Sequence, residues 1–106
     1  MATQQSELNE LKRIGAVPQK NSGRGFHKGD GVLGEYLVDV KEVRKSFGLT
    51  QDSWAKVCTD AVAENKAPLL HIVLGEGNSR VRVWVIEESA GLELLETKAK
   101  YEALQS

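Results

Sequence analysis

Apolar residues recur with two different periods along this chain, and the changes of period divide it into elements. Leu8, Leu11 and Ile14 follow helical spacing, with Ser6 placed to cap the start and Gly15 to stop the turn, so a first helix is expected over residues 3–13. Residues 16–20 can extend as a short strand, in which Pro18 points to an edge or irregular end. Between Asn21 and Gly34 there are five glycines in fourteen residues and almost no large apolar side chain. That stretch reads as a flexible loop leading into a tight hairpin at residues 31–34. The next segment, EYLVDVKEV, is dense in β-branched and aromatic residues and is expected to be a strand. Its period of two puts Leu37, Asp39, Lys41 and Val43 on one face and Tyr36, Val38, Val40 and Glu42 on the other.

Helical periodicity returns at Trp54, Val57, Cys58, Ala61 and Val62, which predicts an amphipathic helix over 51–66. Pro68 then opens LLHIVL, a short apolar run expected of a strand buried on both faces, with His71 a hydrogen-bonded core residue. After a turn at 75–79, RVRVWVIEE reads as a strand with Val81, Val83 and Val85 on one face and Arg80, Arg82, Trp84 and Ile86 on the other. Good helix formers predict a last helix over 90–104. In it Leu92, Leu95, Ala99 and Ala103 follow spacings of three and four, while Leu94, Tyr101 and Leu104 fall toward other faces. That is more apolar surface than one packed stripe uses, and it points to a contact with another chain. The order α-β-β-β-α-β-β-α describes one α/β domain over residues 1–106, a mixed sheet flanked by helices.

Composition narrows the function classes. With 106 residues, 41% hydrophobic and 27% charged, the chain has material for a single core. The lone cysteine, Cys58, excludes an internal disulfide framework, and no Cys/His cluster has zinc-ligand spacing. A reducing, cytoplasmic location is expected, and neither a secretory segment nor a membrane span is read from the sequence. The net charge of -1 hides an asymmetry: Lys20, Arg24, Lys28, Lys41, Arg44 and Lys45 outnumber Asp30, Glu35, Asp39 and Glu42 between residues 20 and 45. A locally basic segment on an acidic chain is compatible with docking a phosphate backbone at one face; a solvated loop is the plain alternative.

The chemistry concentrates at Asp30, Asp39 and Lys41. Alternation sets Asp39 and Lys41 on one side of a strand, about 7 Å apart along it, and the hairpin returns Asp30 alongside. Two carboxylates so placed form a hard oxygen site for a magnesium-sized cation, and a neighbouring lysine can stabilise charge on a phosphate under attack. The structural alternative is an ion pair on an exposed strand. Leu37 and Val43 flank the pair on its own face, where burying an unexplained carboxylate is expensive. The glycine segment GRGFHKGDG lacks the GxxxxGK[ST] pattern and opens no helix, so it is not read as a nucleotide cradle.

At these residues the chain resembles the PD-(D/E)xK nuclease superfamily. Gly29-Asp30 stands at the PD pair and Asp39-Val40-Lys41 at (D/E)xK, with glycine in place of proline and aspartate in place of the commoner glutamate. The element order agrees with that superfamily's αβββαβ core, a restriction-endonuclease-like fold. Ser22-Gly23 in KNSGRG and the compact length look most like the cellular and phage Holliday-junction resolvases. The resemblance covers residues 5–87 and leaves the last helix unexplained.

The resemblance implies a magnesium-dependent endonuclease acting on four-way DNA junctions in recombination or repair, with manganese able to substitute. It implies a metal held by Asp30, Asp39 and a helix-one glutamate, Glu7 in preference to Glu10, with Lys41 as the catalytic cation. Lys20, Ser22, Arg24 and Lys28 would contact DNA. Cutting a junction symmetrically requires two active sites, hence a twofold homodimer. A nuclease of another target (nicking, repair or restriction-like) and a non-catalytic DNA-binding module remain the alternatives.

Overall fold

The computed structural model describes residues 4–21 and 25–105, with the backbone alone at residues 4, 20, 21 and 25–30. Helix α1 (Gln4–Arg13) leads into strands β1 (Val17–Asn21), β2 (Gly25–Leu33) and β3 (Tyr36–Val43). Helix α2 (Gln51–Ala63) crosses to β4 (Ala67–Leu74), followed by β5 (Val81–Val85) and helix α3 (Glu88–Gln105). The five strands form one sheet in the order β1-β2-β3-β4-β5, antiparallel except for the parallel pair β3–β4 that α2 connects. The expected α/β class and mixed sheet are therefore present. Among the described residues no helix is long and apolar enough to cross a membrane.

Two layers of core sit on the two faces of the sheet. On one, Leu11 of α1 and Ala16 pack with Val38, Val40 and Leu69. On the other, Val57 of α2 packs with Leu70 and Ile72, extended by Phe47, Trp54, Val43 and Val85. β4 lies between β3 and β5, and its six central residues are buried, as the run LLHIVL requires. The helix ends have local causes. Gly15, at φ +82°, lets Ala16 N–H reach the Leu11 carbonyl and closes α1. Thr50 and Ser53 cap α2 reciprocally.

Several expectations are corrected. Residues 25–33, read as loop, are strand β2: poor strand propensity is outweighed because the segment pairs with β1 on one side and β3 on the other. Ser6 does not cap α1 but sits within it, donating its hydroxyl to Glu42 Oε1 at 2.8 Å. α2 ends at Ala63, short of 66, because Asn65 adopts φ +56° and Lys66 N–H turns back to the Ala61 carbonyl. Val62 accordingly points to solvent, leaving the apolar stripe to Trp54, Val57 and Ala61. Pro18 does lie on an edge strand, next to a register shift between Pro18 and Lys20.

Candidate active site

The site is set by a hairpin. β2 and β3 are joined at Gly34-Glu35, where Gly34 takes φ +58°, and Leu33 faces Tyr36 across the turn. Each step back along β2 is matched by one step forward along β3, so Asp30 stands directly opposite Asp39. The two backbone positions are therefore level with each other on neighbouring strands. Lys41, two residues on from Asp39, shares its face, and its Nζ lies 3.6 Å from Asp39 Oδ1. Backbone register therefore sets position 30 level with Asp39, and alternation puts Lys41 on the Asp39 face.

The face that Asp39 and Lys41 occupy is the one α2 covers. Asp39 retains only 18% of its side-chain exposure, while Lys41 keeps 47% and reaches the surface. Burial pushes the Asp39 carboxyl above the ordinary aspartate range; Lys41 pulls it back, Asp60 adds to the rise and Lys56 counters it. A carboxylate so desolvated has a deficit of positive charge that one exposed lysine leaves partly unmet. A small divalent cation, which takes one or two carboxylates and fills its remaining positions with water and phosphate oxygens, would meet that deficit at Asp39, with Asp30 level with it on β2. Among the described residues no group of three or more His, Cys, Asp or Glu side chains is gathered to hold a metal ion, at this site or at any other.

Helix α1 lies in the opposite layer. Gly31, paired with Val38, faces it so closely that a Cβ there would meet Leu11 Cδ2 at 2.7 Å and the Val17 carbonyl oxygen at 3.1 Å. Glu7, one turn before Leu11, is buried on this helix. The structure thus sets Asp30 level with Asp39 by register and Lys41 on the Asp39 face, but it corrects the expectation for Glu7: Leu11 seats α1 on the opposite face, so the sheet separates Glu7 from Asp39 and Lys41 and it is not placed to share an ion with them. Ser22 and Arg24 lie outside the described residues. Lys20 lies on β1 opposite Phe26, and Lys28 lies within β2.

Glu10 has a different occupation, one with no local signal in the sequence. Its carboxylate receives both Arg82 Nε and Nη2 at 2.9 Å, and Oε1 also receives the ring of His71 at 2.8 Å. Trp84 Nε1–H donates to His71 Nδ1 at 2.6 Å, which leaves the hydrogen on Nε2, directed at Glu10. This chain of contacts ties α1 to β4 and β5 through groups 61 and 72 residues apart.

The Arg82 guanidinium, opposed by burial and assisted by His71, holds the Glu10 carboxyl down from 4.5 to about 2. The folded-state value lies below the unfolded one, so this contribution to stability is complete above pH 4.5 and is lost as the pH falls through about 2. Replacing Glu10 by Gln is expected to cost about 2–3 kcal/mol at neutral pH. It should also flatten the acid limb of the stability profile, as urea unfolding followed from pH 7 to pH 2 would show.

Beyond Lys41, at the carboxyl ends of β3 and β4, a groove of about 200 Å³ is lined by Glu42, Val43, Arg44, Gly75, Glu76, Gly77 and Arg80. Arg44 Nε lies 3.2 Å from Glu76 Oε1 and is otherwise open to solvent. Compared with protein families, curated proteins and solved structures, the chain matches no family model, no curated sequence and no solved structure.

Proposed function

We propose that this chain is a metal-dependent endonuclease that hydrolyses phosphodiester bonds in branched DNA, with a four-way junction as substrate. The observation that carries the reading is the register of β2 and β3, which sets Asp30 opposite Asp39 with Lys41 beside it. Asp30 and Asp39 would hold magnesium or manganese, with water and phosphate oxygens filling the remaining positions; Glu7, on the other face of the sheet, takes no part in this site. The bound ion supplies Lewis acidity to the phosphate and lowers the pKa of water.

The chain's own groups account for the rest. Water attacks phosphorus in line; its oxygen forms the new P–O bond as the bond to the 3'-oxygen breaks, leaving a 5'-phosphate and a 3'-hydroxyl that takes up a proton. The Lys41 ammonium faces the phosphate and offsets the charge that accumulates on its non-bridging oxygens. Lys20, Ser22, Arg24 and Lys28 follow the DNA backbone, with the glycines among them allowing close approach. Symmetric resolution of a junction calls for two such sites in a twofold homodimer, in a reducing cytoplasm.

Cleavage of a four-way junction, a flap and plain duplex with magnesium tests the proposal. The expected result is paired, ligatable nicks in the junction, with the other two substrates cut at least about tenfold more slowly. Preferential cutting of flap or duplex would reassign the target. No cutting of any substrate with magnesium or manganese would reduce the carboxylates to structural groups of a DNA-binding module.

A further inference from the structure

Helix α3 is the one long element whose apolar residues the described fold leaves in water. Among the described residues it packs on no other helix or strand, and Leu92, Leu94, Leu95, Tyr101 and Leu104 are between 46% and 83% exposed. Its 18 residues rise about 27 Å. A helix of this length has marginal stability when it stands alone in water. At 100° per residue, Leu92, Leu95 and Ala99 fall on one face and Leu94, Tyr101 and Leu104 on the opposite one. Glu93, Glu96 and Lys100 form one charged ridge between them; Lys98 and Glu102 form the other. Two opposed apolar faces call for two covering surfaces.

One such surface is on β5. Val81 and Val83 share the sheet face that α2 covers over β3 and β4, but they lie beyond its reach and are 55% and 39% exposed. The second is α3 itself. Three of its four glutamates, Glu88, Glu93 and Glu96, fall in its first half, and both lysines, Lys98 and Lys100, in its second. Antiparallel association of two copies therefore sets acidic half against basic half, whereas parallel association sets like against like. A twofold axis between Glu96 and Thr97 puts Glu93 of one copy level with Lys100 of the other.

We propose that α3 is a dimerisation arm whose occupant is a second copy of this chain. The two arms pair antiparallel through Leu92, Leu95 and Ala99, where the small Ala99 lets the backbones approach. The opposite stripe, Leu94, Tyr101 and Leu104, lies on Val81 and Val83 of the second copy. Two helix faces of about 27 by 10 Å with the β5 patch bury on the order of 800 Å² per protomer, the size of a stable interface. This supplies the twofold partner that the nuclease reading calls for, yet it rests on α3 and β5 alone.

Sedimentation equilibrium of the full chain, without DNA or metal, tests it apart from any activity. The expected mass is twice 11.6 kDa at micromolar concentration. Glu93→Lys alone and Lys100→Glu alone should each weaken the dimer about tenfold, and the two together should restore it, a pattern that a general loss of helix stability does not produce. Val83→Glu should weaken the dimer while the ring signal of Trp54, in the α2 layer, reports an intact fold. A monomeric full chain at tens of micromolar would overturn the proposal. So would a charge-swapped double variant no tighter than either single one. Loss of cleavage with the dimer intact would instead count against the nuclease reading only.

Discussion

Asp39→Asn should abolish junction cleavage while leaving the protein at least as stable as before, and Asp30→Asn should match it in activity. The substitution keeps the shape of the side chain and removes the charge that would hold a divalent ion. Losing several kcal/mol of transition-state stabilisation corresponds to a fall of about a thousandfold or more in turnover. The stability half of the expectation comes from burial. The Asp39 carboxyl is pushed upward because its charge is poorly solvated where it sits, so a neutral amide relieves a cost that the folded chain now carries. Junction affinity should hold or tighten, since a negative group facing phosphate is gone. Cleavage rates, electrophoretic mobility shifts and thermal melting of the same preparations check all three parts; full activity in either variant would remove the assignment.

Lys41→Met carries the second large effect. Methionine keeps most of the apolar stem, and the ammonium it deletes lies 3.6 Å from Asp39 on a side chain with 47% exposure. An ion pair with one partner this open contributes about 0–1 kcal/mol to folding, so the melting temperature should move little. A charge placed to meet developing negative charge on phosphate is worth far more in the transition state, and single-turnover cleavage should fall about a hundred- to a thousandfold with junction binding nearly unchanged. If melting drops sharply and cleavage per folded molecule does not, Lys41 is a structural partner of Asp39.

The motif was legible because it is local. Asp30 and Asp39 belong to one hairpin, and a two-residue turn with a glycine in the left-handed region fixes which residues face each other. Strand β3 announced its two faces by alternation, and β4 announced burial on both sides. What the sequence hid depends on distant packing. The strand character of residues 25–33 comes from neighbours on both sides, against the preference of its glycines. The layer that α1 occupies, and with it the position of Glu7, follows from Leu11 settling over Gly31, a contact between segments that no local pattern links. Glu10, His71, Arg82 and Trp84 each look ordinary alone. His71 was recognisable as a bonded core histidine, but its partners lie on α1 and β5.

β5 is also an open edge of the sheet. The other edge, β1, is interrupted by Pro18 and a register shift, whereas β5 offers the uninterrupted segment VRVWV. A short β-prone segment with free backbone donors and acceptors is a template for adding strands from other molecules, and charged side chains are the usual protection. Here one of those charges, Arg82, is spent inward on Glu10. Protonating Glu10 in acid releases the tether that holds β5 to α1, and the edge then becomes the first part of the chain to be both loosened and exposed. Acid-stressed material should therefore form ordered β-rich aggregates seeded at VRVWV, and the clamp that orients α1 doubles as the guard against polymerisation.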